Sequence, residues 1–163
     1  MSMTQSRRDE NDRHVADNVR RYGCHVYSVG ASDDQSTPAF TYSIGLFESA
    51  GVPDVIVLGV RPSLGKAMVD AYQEFALEGT RFEPGERYAG FLGSGFEVYV
   101  EPLANGAVAG FMLGCFRYYR DRPFSAAQIV YPTVDGVWPW EPGASAWFVN
   151  AQPMLGRSRL DER

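Results

Sequence analysis

The chain has 163 residues, of which 45% are hydrophobic, 13% aromatic and 21% charged, with a formal net charge of −5. A chain of this length makes one ordinary domain that buries roughly 70% of its unfolded surface, and its composition is that of a folded protein needing no disulfide or metal staple. The acidic balance argues against broad nucleic-acid or anionic-membrane affinity, which rests on many cationic contacts.

Residues 1–10 are polar and read as a disordered N-terminus, followed by a domain over 11–156 and a tail over 157–163. From Asn11 to Tyr22, Val15, Val19 and Tyr22 fall at helical spacing, and Gly23 stands where a left-handed C-terminal cap belongs. Cys24–Val29 reads as a strand, and Gly30–Pro38 is rich in turn residues. Phe40, Tyr42 and Ile44 then alternate on one face of a second strand, which predicts a hairpin. Asp54–Val60 is almost continuously apolar, as a strand covered on both faces is.

Arg61-Pro62-Ser63 starts a helix, with Leu64, Met68, Ala71 and Phe75 as its buried stripe and Gly79 beyond its end. Gly79–Gly95 predicts short strands or a flap. Phe96–Glu101 alternates as a strand that Pro102 limits. Ala107–Tyr119 reads as a third helix, although Gly110 and Gly114 each weaken it by about 1 kcal/mol; their spacing suits close packing of another element. Ala127–Tyr131 is a last strand, the stretch from Glu141 is irregular, and Gln152–Gly156 is a docking segment. Hairpins with separate helices predict an α+β fold: a mixed, mainly antiparallel sheet with about three helices.

Few chemistries survive inspection of the motifs. Cys24 and Cys115 lie far apart, neither paired cysteines nor a His-x-x-x-His motif provides a metal site, and no phosphate loop or dinucleotide fingerprint occurs. No metal or cofactor is expected. Cys24 and His25 are neighbours in a strand and point to opposite faces, so they do not make a catalytic pair. Ser43 lacks the strained elbow of a serine nucleophile. No apolar leader opens the chain, and the apolar run at Ala107–Phe116 is too short for a bilayer of about 30 Å; the expectation is a cytoplasmic protein with reduced thiols.

The most informative run is Gln128-Ile-Val-Tyr-Pro-Thr-Val-Asp-Gly-Val-Trp-Pro-Trp140. A glutamine on a strand offers two donors and an acceptor. Trp138 and Trp140 add flat apolar faces, and Tyr42 and Tyr131 add hydroxyls. With Ser43 and Arg117, from the basic cluster Arg117-Tyr-Tyr-Arg120, these residues form a candidate ligand cleft. The competing reading gives Gln128 a backbone group to satisfy, makes the tryptophans core plugs, and has the arginines complement a helix C-terminus.

Pro38-Ala-Phe-Thr-Tyr-Ser-Ile-Gly-Leu46, Pro53-Asp-Val-Ile-Val-Leu-Gly59, Gln128-Ile-Val-Tyr-Pro132, Gly136, Pro139-Trp140 and Gln152-Pro153 with Leu155-Gly156 occur in one order. In this the chain resembles the bacterial domain of unknown function 4262 family, over residues 18–156. The resemblance implies no activity. It places an Asp after the Tyr-Pro pair, where this chain has Thr133. The functional expectation is a binding or interaction module for a small polar ligand or a protein segment. The alternatives are a metal-independent hydrolase or transferase using carboxylates with Tyr42 or Tyr131, and a structural homodimer.

Overall fold

In the computed structural model, which describes residues 2–93 and 95–156, the apolar runs assemble into a six-stranded sheet. β1 (His25–Val29) and β2 (Phe40–Ile44) form the expected hairpin, in register from His25 opposite Ile44 to Val29 opposite Phe40. β3 (Asp54–Leu58) pairs antiparallel with β2 on one side and parallel with β6 (Ala126–Val130) on the other. β5 (Glu97–Leu103) follows antiparallel to β6, and the short β4 (Arg87–Ala89) closes the order β1-β2-β3-β6-β5-β4. The sheet is mixed and mostly antiparallel, and the fold is α+β.

Every residue of β2, β3 and β6 is buried because helices cover both faces. α3 (Pro62–Leu77) packs Met68, Val69 and Tyr72 on the face carrying Val55, Val57, Val100 and Ile129. α1 (Met3–Tyr22) and α5 (Leu113–Tyr119) cover the other, where Val15, Val19, Cys115 and Tyr119 meet Tyr42, Ile44, Ile56 and Leu58.

Several boundaries differ from the expectation. α1 begins at Met3 rather than Asn11, with Ser2 accepting from the Gln5 N–H as its N-cap; Gly23 ends it at φ 85° as read, but Tyr22 is exposed. β5 runs through Pro102 to Leu103. β4 pairs only with Glu97–Tyr99, so beyond Tyr99 β5 is an edge strand, where a missing donor is tolerated. The stretch 107–119 is two helices, α4 (Asn105–Val108) and α5, separated around Gly110. Gly114 does permit close packing: a Cβ there would stand 2.6 Å from Ile44 Cδ1 and 2.7 Å from the Tyr42 hydroxyl. A short helix, α2 (Leu46–Ala50), follows β2, and α6 (Ala146–Ala151) lies in the stretch read as irregular. No helix among the described residues is long and apolar enough to cross a membrane.

Candidate functional site: a groove at the carboxyl ends of the parallel strands

β3 and β6, the one parallel pair among the described residues, end side by side, and the chain leaving each of them builds a groove of about 760 Å³. After β3, Gly59 turns with φ 81°, and a Cβ there would stand 2.5 Å from the Ala151 carbonyl and 2.8 Å from the Tyr131 hydroxyl. Only glycine lets α6 approach this closely. The wall continues through Val60, Arg61, Leu64 and Met68 at the start of α3. After β6, Tyr131, Pro132, Thr133 and Val134 join the lining, together with Leu92, Gly93 and Phe96 and with Trp147, Phe148 and Ala151 of α6. Trp147 and Val134 are 75% and 82% exposed, so this apolar lining is open to solvent.

The polar groups of the groove are few. The Tyr131 hydroxyl donates to the Leu58 carbonyl at 2.7 Å, and burial pushes its pKa up, so it keeps its proton. Thr133 Oγ1 accepts from the Val137 N–H at 3.0 Å and closes a turn. The Arg61 guanidinium is the sole charged group among the described lining residues, and no carboxylate, imidazole or thiol joins it there.

The seven residues singled out from sequence do not share this groove, because strand alternation and long-range pairing send them elsewhere. Tyr131 alone lines it. Tyr42 is buried on the α5 side of β2, its hydroxyl accepting from the Gly114 N–H at 2.9 Å, with its pKa raised to about 12 by burial. Ser43 points to the opposite face, donating to Asp54 at 2.7 Å and accepting from the Val55 N–H at 3.0 Å. Trp138 and Trp140 stack on one another, 5.3 Å between centroids, and both meet Tyr99 of β5 at an interplanar angle of 60°. Trp140 also borders a separate hollow beside Gln35 and Asn150. Arg117 makes a two-point ion pair with Asp12 and borders a hollow of about 280 Å³ between α1 and α5.

Gln128 has a structural task. Its Nε2 donates to the Pro153 carbonyl and its Oε1 accepts from the Leu155 N–H, both at 2.9 Å. Gln152 does the reciprocal thing: its Oε1 accepts from the Tyr131 N–H at 3.0 Å and its Nε2 donates to the Tyr131 carbonyl at 2.9 Å. Each amide stands in for a peptide group of a missing strand. Together they moor the segment after α6 to β6 and so position the α6 wall of the groove.

Asp54 was missed as a special residue, although a charge opening an otherwise apolar strand was the available signal. It is fully buried, and its carboxylate accepts from Ser43 Oγ at 2.7 Å, Tyr119 OH at 2.6 Å, Leu46 N at 2.9 Å and Phe47 N at 3.3 Å. Burial raises its pKa, while Tyr119, Ser43 and the two backbone donors of α2 pull it down. Four donors converge on this one carboxyl and oppose the burial, which is the larger effect and leaves the pKa above the ordinary carboxylate value. Asp54 holds α2 on β3 from a place that no solvent reaches.

The pairings an acid–base enzyme would use are likewise outside the groove. Asp54 and Tyr119 are sealed in the core. Tyr118 donates to Glu48 at 2.6 Å on the surface, where Arg122 also pairs with Glu48. Cys24 donates to Gln73 Oε1 at 3.4 Å, and burial lifts its thiol to about 12. Cys115 lies fully buried on the Ser43 carbonyl, its thiol also pushed up by burial. Among the described residues no three of His, Cys, Asp and Glu gather in one place.

The family model "Domain of unknown function (DUF4262)" matches residues 18–145, well over half of the chain. The chain belongs to this family. No curated protein and no solved structure matches it. Two of the motif runs that carry the resemblance, ending at Gly59 and at Tyr131-Pro132, meet in the DUF4262 groove.

Proposed function

We propose that this DUF4262 domain is a binding module whose ligand lies in the groove at the carboxyl ends of β3 and β6. One observation carries this reading: an apolar concavity of about 760 Å³ is built from four separate stretches of chain, opens to solvent, and has no carboxylate, imidazole or thiol among its described lining. Its volume is that of a small-molecule site, and carboxyl ends of adjacent parallel strands are a recurrent place for one. Apolar side chains left exposed there, Trp147 above all, favour a ligand over a bare surface.

The test compares native and denaturing mass spectra of the freshly purified protein and of a Trp147→Ser, Val134→Asp double variant. Both positions are exposed, so the fold survives the change. A mass excess seen only in the native spectrum and lost in the variant is the expected result. A bare monomer that also shows no thermal shift with a set of small apolar compounds would sink the reading. A bare dimer that the double variant dissociates would move the same patch to a self-interface.

A further inference from the structure

We infer that the groove takes an apolar molecule bearing one carboxylate, with the carboxylate on Arg61 and the apolar body along Leu64, Leu92 and Trp147. The inference rests on the binding reading above and adds the ligand's chemical class. Arg61 is the single charged residue among the described lining, and its guanidinium has no hydrogen-bond or ion-pair partner among the described residues. The other wall groups are apolar or already engaged: Tyr131 OH by the Leu58 carbonyl, and Thr133 Oγ1 by the Val137 N–H. A planar guanidinium matches a carboxylate through two parallel hydrogen bonds, and the absence of any acid in the lining leaves nothing there to compete for it. With one cation, the site is complementary to a monoanion; a neutral or cationic ligand of the same shape leaves Arg61 unmatched. The overall charge of −5 supplies no general attraction for anions, so the preference would come from Arg61 itself.

The experiment uses the full chain and the neutral fluorophore N-phenyl-1-naphthylamine as reporter of the apolar groove, with the Trp147→Ser, Val134→Asp variant as the control for location. Decanoate and 1-decanol, equal in chain length, then compete the fluorophore from the wild type and from Arg61→Gln. The expected result is that decanoate competes at least about tenfold more strongly than decanol in the wild type, and that Arg61→Gln removes this preference while fluorophore binding persists. Equal competition by acid and alcohol in the wild type, or a preference that survives Arg61→Gln, overturns the carboxylate inference and leaves the binding reading standing. A fluorophore that does not bind, or binds the double variant equally well, overturns both.

Discussion

Replacing Gln128 with leucine removes two hydrogen bonds while keeping side-chain volume close to its own, and the structure sets the size of the loss. The substitution strands the Pro153 carbonyl and the Leu155 N–H, whose partners are Nε2 and Oε1 at 2.9 Å each. An orphaned buried polar group costs about 1–3 kcal/mol, so the pair is worth about 2–6 kcal/mol if the segment stays in place. It has a cheaper escape. Undocking residues 153–156 lets water reach both groups, at the cost of the apolar contact of Leu155 and the close fit of Gly156, whose Cα would have no room for a Cβ within 2.8 Å of Leu103 Cδ2. Urea denaturation of Gln128→Leu is therefore expected to show a loss of about 2–4 kcal/mol, or about 4–15 °C in Tm for a domain of this size. Hydrogen exchange at the Leu155 amide is expected to lose its protection before the sheet does. Gln152→Leu repeats the effect at Tyr131, with exchange reported by the Tyr131 amide. A Gln128→Leu protein within about 0.5 kcal/mol of wild type, with Leu155 still protected, would refute the mooring role and return this glutamine to the list of candidate ligand contacts.

Asp54→Ala orphans two hydroxyls and two backbone N–H groups at once and is expected to cost at least about 4 kcal/mol in chemical denaturation, against about 1–2 kcal/mol for Tyr119→Phe. Because burial raises the Asp54 pKa, the folded state holds its proton more tightly than the unfolded chain does; the stability from this group is full below the unfolded carboxylate pKa and falls as pH rises through the folded one. Unfolding free energies of wild type and Asp54→Asn measured from pH 3 to 7 check this, since the asparagine variant lacks that fall. Gly65→Ala would, on helix propensity alone, stabilise α3 by about 1 kcal/mol. The new Cβ would lie 2.4 Å from Thr41 Oγ1 and 2.7 Å from its Cβ, and overpacking costs about 1–3 kcal/mol, so the expected outcome is a lower urea midpoint. A rise in midpoint would contradict the tight α3–β2 contact.

Much of the architecture was legible because it is written between neighbours. The alternation of Phe40, Tyr42 and Ile44, the apolar run of β3, the proline at the start of α3 and Gly23 at the end of α1 each act within a turn or two of chain. The misreadings have local causes too. α6 is only six residues long and sits among glycines and prolines, with its one start signal in Ser145, whose hydroxyl accepts from the Phe148 N–H at 3.1 Å. Around Gly110 a helical pattern of side chains concealed a break in the backbone. Pro102 stops a strand only where the missing donor has a partner to lose, and β4 is too short to supply one.

Sequence by itself determined that this chain is one acidic α+β domain of the DUF4262 family, and which of its residues are unusual: Gln128, the paired tryptophans, Tyr131-Pro132 and Gln152. Only the tertiary structure decided what they do. Gln128 and Gln152 meet backbone groups 21 to 27 residues away, Trp138 and Trp140 meet Tyr99, and the groove draws its described lining from Gly59 to Met68, from Leu92, Gly93 and Phe96, from Tyr131 to Val134 and from Trp147 to Ala151. The physical reason is that a side chain's period is set by its own backbone, whereas its partner is set by strand order. It is the placing of β6 beside β3, across a long stretch of intervening chain, that brings the two carboxyl ends together and makes a groove between them.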